Sequence, residues 1–414
     1  MTETPMTEPW LTIIGVGDNG LESLTPEAQS IVWQTETLVL GERLDAVIDG
    51  SALPALKRIL NWSGGFRETL REILKLRGSP VTILATGDPM HFGIGATLRR
   101  YVRASEMYVL PSPSAFSLAA SRLGWPLQSV ATISLHGRPL SHLNRHLMPR
   151  HRILALTAGA ETVLGAAALM VERGFGNSVL TVLEHMGGDH ERIFAMTAAE
   201  LLATQPEIAE FNTLAIDCVS NSPLVSPIAG LPDDAFRHDG QLTKREIRAV
   251  TLSILQPFPH GLLWDVGAGC GSIALEWMRI GLGARAIAIE EKPERVAMIR
   301  ENAEVLGLPD LDIVEARAPE GLAGLDAPDA VFIGGGITHE GLFESCWDAL
   351  PPGGRLVANA VTIEGEARLA ELRGIHGGEL VRLQVSRAAP VGRYCGWKSL
   401  MPVTIWSVTK GETA

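Results

Sequence analysis

The segment Asp265-Val266-Gly267-Ala268-Gly269-Cys270-Gly271 constrains the fold of this chain more than any other. It follows an apolar run, Leu262-Leu263-Trp264, and precedes a helical pattern, Ile273–Arg279. A strand, a glycine turn and a helix in that order are the opening unit of a doubly wound α/β sheet, whose ligands gather at the carboxyl ends of the strands. Glycine permits both the tight turn and close backbone approach to a ligand. About twenty residues further on, a second apolar run ends in an acid, Ile289-Glu290, at the distance where a carboxylate accepts hydrogen bonds from ribose hydroxyls.

The glycine spacing is GxGxG. The dinucleotide fingerprint is GxGxxG, with its third glycine one step later beside a pyrophosphate. A nucleoside ligand without phosphate is the better match, and S-adenosylmethionine is one. Asp265 at the strand end is then placed to accept the ammonium of its amino-acid portion. A glycine turn that holds no ligand is the alternative.

Strand and helix patterns alternate throughout. Leu11–Val16, Leu38–Leu40, Val81–Ala85, Met107–Leu110, Ile153–Thr157, Val179–Leu183 and Thr213–Cys218 are predicted strands, with helices at Phe66–Arg77 and Ala115–Leu123. Ser220–Gln241 is dense in Pro, Gly, Ser and Asp and is predicted to be a linker. A helix is predicted to start at Thr243, which with Glu246 has capping-box spacing. Leu262–Val266, Ala286–Ile289, Asp312–Glu315, Ala330–Ile333 and Arg355–Asn359 continue the strand pattern, and Val381–Val385 and Val403–Ser407 add an antiparallel edge pair. The expected organisation is a domain over 8–219, a linker over 220–241 and a second domain over 242–410. The length of 414 residues fits two domains.

Bulk properties exclude some functions. The net charge of −12 argues against nucleic acid as a partner. The four cysteines form no CxxC pair, so neither a zinc site nor a disulfide framework is expected. The start, MTETPMTEPW, lacks the pattern of a signal peptide, and Ile153–Val171 is interrupted by Thr157-Ala158-Gly159 and Glu161. A cytoplasmic protein without membrane spans is expected.

The second half resembles the decarboxylating precorrin methyltransferase domain of corrin biosynthesis. The resemblance rests on Leu242-Thr243-Lys244-Arg245-Glu246-Ile247-Arg248, the Asp265–Gly271 loop, Ala316-Arg317-Ala318-Pro319-Glu320, Gly334-Gly335-Gly336 and the tail VSRAAPVGRYCGWKSLMPV. It implies a Rossmann-like class I methyltransferase fold. Thr243, Gly267, Ala268, Gly269, Cys270, Gly271, Glu290, Ala318 and Gly334 would surround S-adenosylmethionine. No Asp-Pro-Pro-Tyr-like motif stands at the Gly334 loop, which argues against amino methylation. In the tail, Arg387, Arg393 and Lys398 beside Tyr394 and Trp397 would meet a polycarboxylate. An edge hairpin with its cations in water is the alternative.

The first half resembles the tetrapyrrole methylases over roughly residues 10–218. The segments are Ile13–Gly20, Leu84–Gly93, Pro111–Phe116 and Ser134–Arg138. The resemblance implies cofactor contacts from Thr86, Gly87, Asp88, His91, Ser114 and Ala115, with substrate near the Gly15–Gly20 loop. His136 and Arg138 would meet substrate carboxylates, or form only a turn. The family's Gly-Pro-Gly-Asp is replaced here by Gly17-Asp18-Asn19-Gly20.

Together the resemblances imply two methyl transfers to bridge carbons of a reduced tetrapyrrole, and loss of carbon dioxide from a ring C acetate. The substrate would be a small-molecule precorrin and the assembly a homo-oligomer. No catalytic residue is assigned. His339 is a candidate proton donor by position, with a structural histidine as the alternative. A fused methyltransferase acting on RNA or protein is the competing function, and a scaffold with idle pockets is the non-catalytic one.

Overall fold

The computed structural model describes residues 9–48, 50–62, 65–220 and 226–411. The first eight residues, on which most of the leader reading rests, lie outside them. The chain divides into two compact units, Met1–Leu140 with His146–Ser222, and Ser141–Arg145 with Pro223–Ala414.

The first unit has two five-stranded sheets. One is wholly parallel, in the order β3-β2-β4-β1-β5, from β1 (Leu11–Val16), β2 (Thr37–Leu40), β3 (Arg58–Asn61), β4 (Val81–Thr86) and β5 (Met107–Leu110). β1 is buried at five of six positions and β4 at five of six, as expected of central parallel strands covered on both faces. The other sheet is mixed, in the order β6-β7-β10-β8-β9, from β6 (Ala131–Ser134), β7 (Arg152–Leu156), β8 (Val179–Glu184), β9 (Arg192–Thr197) and β10 (Asn212–Asp217). The helix Ala115–Leu123 packs Phe116, Ala119 and Ala120 onto this sheet against Leu154, Leu183 and Ala215.

The second unit is one seven-stranded sheet in the order β13-β12-β11-β14-β15-β19-β16. Its strands are β11 (Leu262–Val266), β12 (Arg285–Glu290), β13 (Asp312–Glu315), β14 (Ala330–Ile333), β15 (Arg355–Ala360), β16 (Glu379–Leu383) and β19 (Val403–Thr409). β17 (Ser386–Val391) and β18 (Tyr394–Ser399) form a separate hairpin. β13, β12, β11, β14 and β15 are parallel to one another, and β19 pairs antiparallel with both β15 and β16. β11 is flanked by β12 and β14, so the strand order reverses beside the Gly267–Gly271 turn. Reversal points of this kind open a crevice at the carboxyl ends.

Two expectations are corrected. Ser226–Gln241 is not a free linker, because Leu231 and Phe236 are buried in the second unit's core. The Gly230 and Leu231 N–H groups donate to the Glu276 carboxylate at 2.5 and 3.0 Å. Arg248, fully buried, donates to Glu276 at 2.6 Å and to the carbonyls of Thr243 and Leu231. This buried ion pair straps the segment down. The capping box does not form either. The helix runs Arg245–Leu255 with Lys244 at its N-cap and no side-chain cap from it. The Arg245 N–H instead donates to Asp233 at 2.9 Å, and Glu246 is engaged elsewhere.

Among the described residues, no helix is long and apolar enough to cross a membrane. Ile153–Val171 resolves into β7 and the helix Ala160–Glu172.

Candidate functional site

At the reversal point of the second unit lies a cavity of about 660 Å³. That is ample for a ligand of nucleoside size. Its floor is the glycine turn. Gly267, Gly269 and Gly271 all have positive φ (71°, 61° and 79°). A Cβ on Gly267 would stand 3.3 Å from the Gly335 amide nitrogen, and one on Gly271 would stand 3.0 Å from Ile299 Cγ2. The turn is pinned by N–H groups of Gly267 and Ala268 donating to Ile289 O at 3.0 and 3.1 Å. The carboxylate of Glu290, almost wholly buried, accepts from Gly269 N at 2.8 Å and Lys292 N at 3.1 Å. Each oxygen keeps lone-pair capacity for a further donor.

Thr243, Gly267, Ala268, Gly269, Cys270, Glu290, Ala318 and Gly334 all line this cavity. Gly271 does not; its role is to let the turn pack against Ile299. Asp265 does not line it either, which corrects its expected place as the ammonium acceptor. It is 1% exposed, and Oδ2 accepts the Ala274 N–H at 3.0 Å in the first turn of the helix Ser272–Ile280. Oδ1 is buried without a partner. Burial pushes the Asp265 carboxyl up to about 7, with the Ala274 bond opposing and Glu290 adding to the shift. Burial likewise pushes the Cys270 thiol up to about 11, so it stays protonated near neutrality.

Sequence reasoning missed Lys244, Arg317 and Asn359 as residues of this wall. The two cations enter no ion pair among the described residues. Asn359 donates to Thr251 Oγ1 at 3.1 Å, leaving its Oδ1 buried and unpartnered. His339 also reaches the cavity. The lining also includes apolar Val361, Val385, Leu400, Met401 and Val403.

The tail behaves differently from expectation. Arg387 clamps Glu246 (2.6 Å) and Asp233 (2.9 Å), and these carboxylates, Glu246 foremost, hold its guanidinium further above its ordinary range. It is therefore occupied within the unit and not poised for a substrate carboxylate. Lys398 faces Arg387 across the β17–β18 pair, and Arg393 lies over the Tyr394 ring at 5.2 Å. Neither lines the cavity. Trp397 on this hairpin is 81% exposed.

In the first unit, the ends of β1, β4 and β5 converge. A Cβ on Gly15 would overlap the Gly87 carbonyl oxygen and the Ser112 amide nitrogen, so only glycine fits. Gly87 has φ 66°, and a Cβ there would lie 3.6 Å from Ser114 Cα and 3.7 Å from Ala115 N. Ser114 caps the helix by accepting the Ser117 N–H at 3.1 Å. Asp88 accepts the Met90 N–H at 2.8 Å, and the His91 ring lies 4.6 Å from that of Phe116. Thr86, Gly87, Asp88, His91, Ser114 and Ala115 are thus gathered at one sheet end. Arg138 stands 5.6 Å from the Phe92 ring, and His136 Nδ1 is 3.3 Å from the Thr157 carbonyl oxygen.

Comparison with known proteins matches both units. A family model described as tetrapyrrole (corrin/porphyrin) methylases covers residues 10–202, and one described as a precorrin methyltransferase domain covers 234–410. A precorrin-6Y C(5,15)-methyltransferase [decarboxylating] from Sinorhizobium sp is 45% identical over 99% of this chain and 98% of that protein. The chain belongs to the decarboxylating precorrin-6Y C(5,15)-methyltransferase family. The member from Mycobacterium tuberculosis (strain ATCC 25618 / H37Rv) is 36% identical over 97% of this chain and 100% of its own. The C-terminal domain of the Rhodobacter capsulatus precorrin-6Y C5,15-methyltransferase has a crystal structure that is 44% identical, with TM-score 0.43, covering 45% of this chain and 100% of that one. As a member of this family the chain is a methyltransferase.

Proposed function

We propose that this protein methylates precorrin-6Y at C-5 in its first unit and at C-15 in its second, with decarboxylation of the ring C acetate in the second. The product is precorrin-8X of cobalamin biosynthesis. The carrying observation is the glycine-lined cavity at the carboxyl ends of the parallel strands in the second unit, together with the glycine turns gathered at the carboxyl ends of β1, β4 and β5 in the first. S-adenosylmethionine is the methyl donor at both, and when bound it supplies an electrophilic methyl group.

In the second unit, Glu290 accepts hydrogen bonds from the donor's ribose, and the Gly267–Cys270 backbone admits its amino-acid portion. In the first, Thr86, Gly87, Asp88, His91, Ser114 and Ala115 form the corresponding wall. Lys244 and Arg317 meet substrate carboxylates at the second cleft, and Arg393 and Lys398 meet those farther out on the hairpin. His136 and Arg138 serve the same purpose in the first unit. A bridge carbon of an enamine is already nucleophilic, so the protein supplies in-line positioning and excludes water. Such positioning lowers a barrier by roughly 7–11 kcal/mol at best. The conjugated ring system takes up the C–C electron pair as the acetate carboxylate leaves as carbon dioxide, so this step needs no nucleophile from the protein.

The test supplies the full chain with precorrin-6Y and ¹³C-methyl S-adenosylmethionine. The expected result is label at both bridge carbons by NMR, one equivalent of carbon dioxide, and two donor sites per chain by calorimetry. Label at neither carbon overturns the reading.

A further inference from the structure

The two methyl transfers differ in what has to leave. A methyl cation equivalent added to a neutral enamine carbon yields a cationic, imine-like product. Where a conjugated acetate carboxylate is present, loss of carbon dioxide returns its C–C electron pair to the ring and neutralises that charge, so no base is required. Where the methylated carbon carries only hydrogen, the C–H bond must break and a base must take the proton. On the functional reading above, that case belongs to the first unit.

The first unit holds a histidine arranged for the task. Asp18 lies in the loop after β1, and His185 directly follows β8. His185 Nδ1 is 3.1 Å from Asp18 Oδ2, while Asp18 Oδ1 accepts from Arg43. The Arg43 guanidinium is stacked 3.2 Å from the centre of the Phe211 ring, and the His185 ring lies 5.6 Å from the same ring. The carboxylate therefore draws the proton to Nδ1 and leaves Nε2 as an acceptor. Nε2 has no partner among the described residues, and the side chain is 31% exposed against 11% for Asp18.

The backbone is adapted to this contact. His185 has φ 45°, a conformation that non-glycine residues rarely hold, and its N–H donates to Phe211 O at 3.2 Å. A Cβ on Gly188 would overlap the Asp18 carboxylate, so only glycine lets it approach. The same loop touches the donor wall. A Cβ on Gly187 would be 3.9 Å from Leu118, one turn into the helix that Ser114 caps. The other titratable groups near His185 are otherwise placed. Glu184 is taken by Arg192 (2.5 Å) and the Ala209 N–H (2.8 Å), and the His190 ring lies 6.1 Å away.

We propose that His185 is the general base of the first-unit methylation, with Asp18, locked by Arg43, as its positioning residue. The enamine π pair forms the new C–C bond, and the S–CH₃ pair stays on sulfur. The C–H pair then returns to the ring as the proton passes to Nε2.

The test uses the full chain, precorrin-6Y and labelled donor, following the C-5 signal across pH in the wild type, His185→Asn and Asp18→Asn. His185→Asn is expected to slow C-5 methylation by about 100-fold, the scale of a lost general base, and to abolish the fall in rate at acid pH. Asp18→Asn is expected to lower kcat for that step by about tenfold with KM unchanged. Calorimetry should still find two donor sites in each variant. Asp18→Asn preserves volume and reports even if His185→Asn fails to fold. A C-5 rate within about threefold of wild type in a folded variant, or a slower rate with the acid limb intact, overturns the proposal alone. Wild-type protein that never labels C-5 overturns the functional reading, and the proposal with it.

Discussion

Gly269 and Asp265 are four residues apart and do different work. Gly269 has φ 61° and faces the cavity, with the Gln241 carbonyl 3.6 Å from where a Cβ would stand. Gly269→Val introduces strain and fills the space that the proposed function gives to the donor. Calorimetry is expected to find one donor site per chain instead of two, with C-15 methylation lost. Asp265 reports through pH. Its folded-state value of about 7 lies above the unfolded value near 4, so between those two the unfolded chain has released a proton that the folded one keeps. Stability therefore falls as pH rises from about 4 to 7 and levels off above. Asp265→Asn is expected to flatten that fall, by an amount on the order of a few kcal/mol, in urea melts compared at pH 4.5 and 8. The GxGxG turn and Glu290 were legible at this scale, because a strand, a turn and a helix are contiguous in sequence. The inward turn of Asp265 was not, since a strand residue at the carboxyl end can face either the ligand or the following helix.

At the scale of elements, strands with apolar runs were read within a residue or two. Five were not predicted: β3, β6 and β9 are all sheet edges, and β17 and β18 form the separate hairpin, which stood only as the alternative reading of the tail. β3 and β9 show mostly exposed or half-buried positions, so they lack the apolar run that marks a covered strand. The strap at Gly230–Phe236 was missed for a related reason. Its Pro, Gly and Asp content suggests a linker, but its order comes from a partner 46 residues away, Glu276. Glu276→Ala removes the nearer carboxylate of buried Arg248, leaving it only Asp233 at 3.5 Å, and frees two N–H groups. The expected loss is about 3–5 kcal/mol by denaturant titration. Arg387→Ala is expected to do much less. Its partners are partly exposed, so a loss of roughly 1 kcal/mol or below is anticipated, with substrate affinity less affected than in Arg317→Ala.

Across the whole molecule, each unit has its own core, one built around β1 and β4 and the other around β11 and β14. Thermal unfolding is therefore expected to depart from a single two-state transition. S-adenosylhomocysteine at 100-fold over its Kd should stabilise a binding unit by roughly 2.7 kcal/mol. In Gly269→Val only one component of the scan is expected to shift.

The order of the covered strands and of the helices between them, the division into two α/β halves, the glycine turn after β11 and the family could all be read from the linear chain. Those features depend on neighbours a few residues apart, or on patterns that repeat with the period of a strand or helix. The tertiary structure decided which charges are free. It occupied Arg387 with Glu246 and Asp233, turned Asp265 under the loop, brought Lys244 and Arg317 to one wall, and set His185 against Asp18 across 167 residues of chain. A side chain's availability depends on what folding places beside it, and no local pattern in the sequence encodes that.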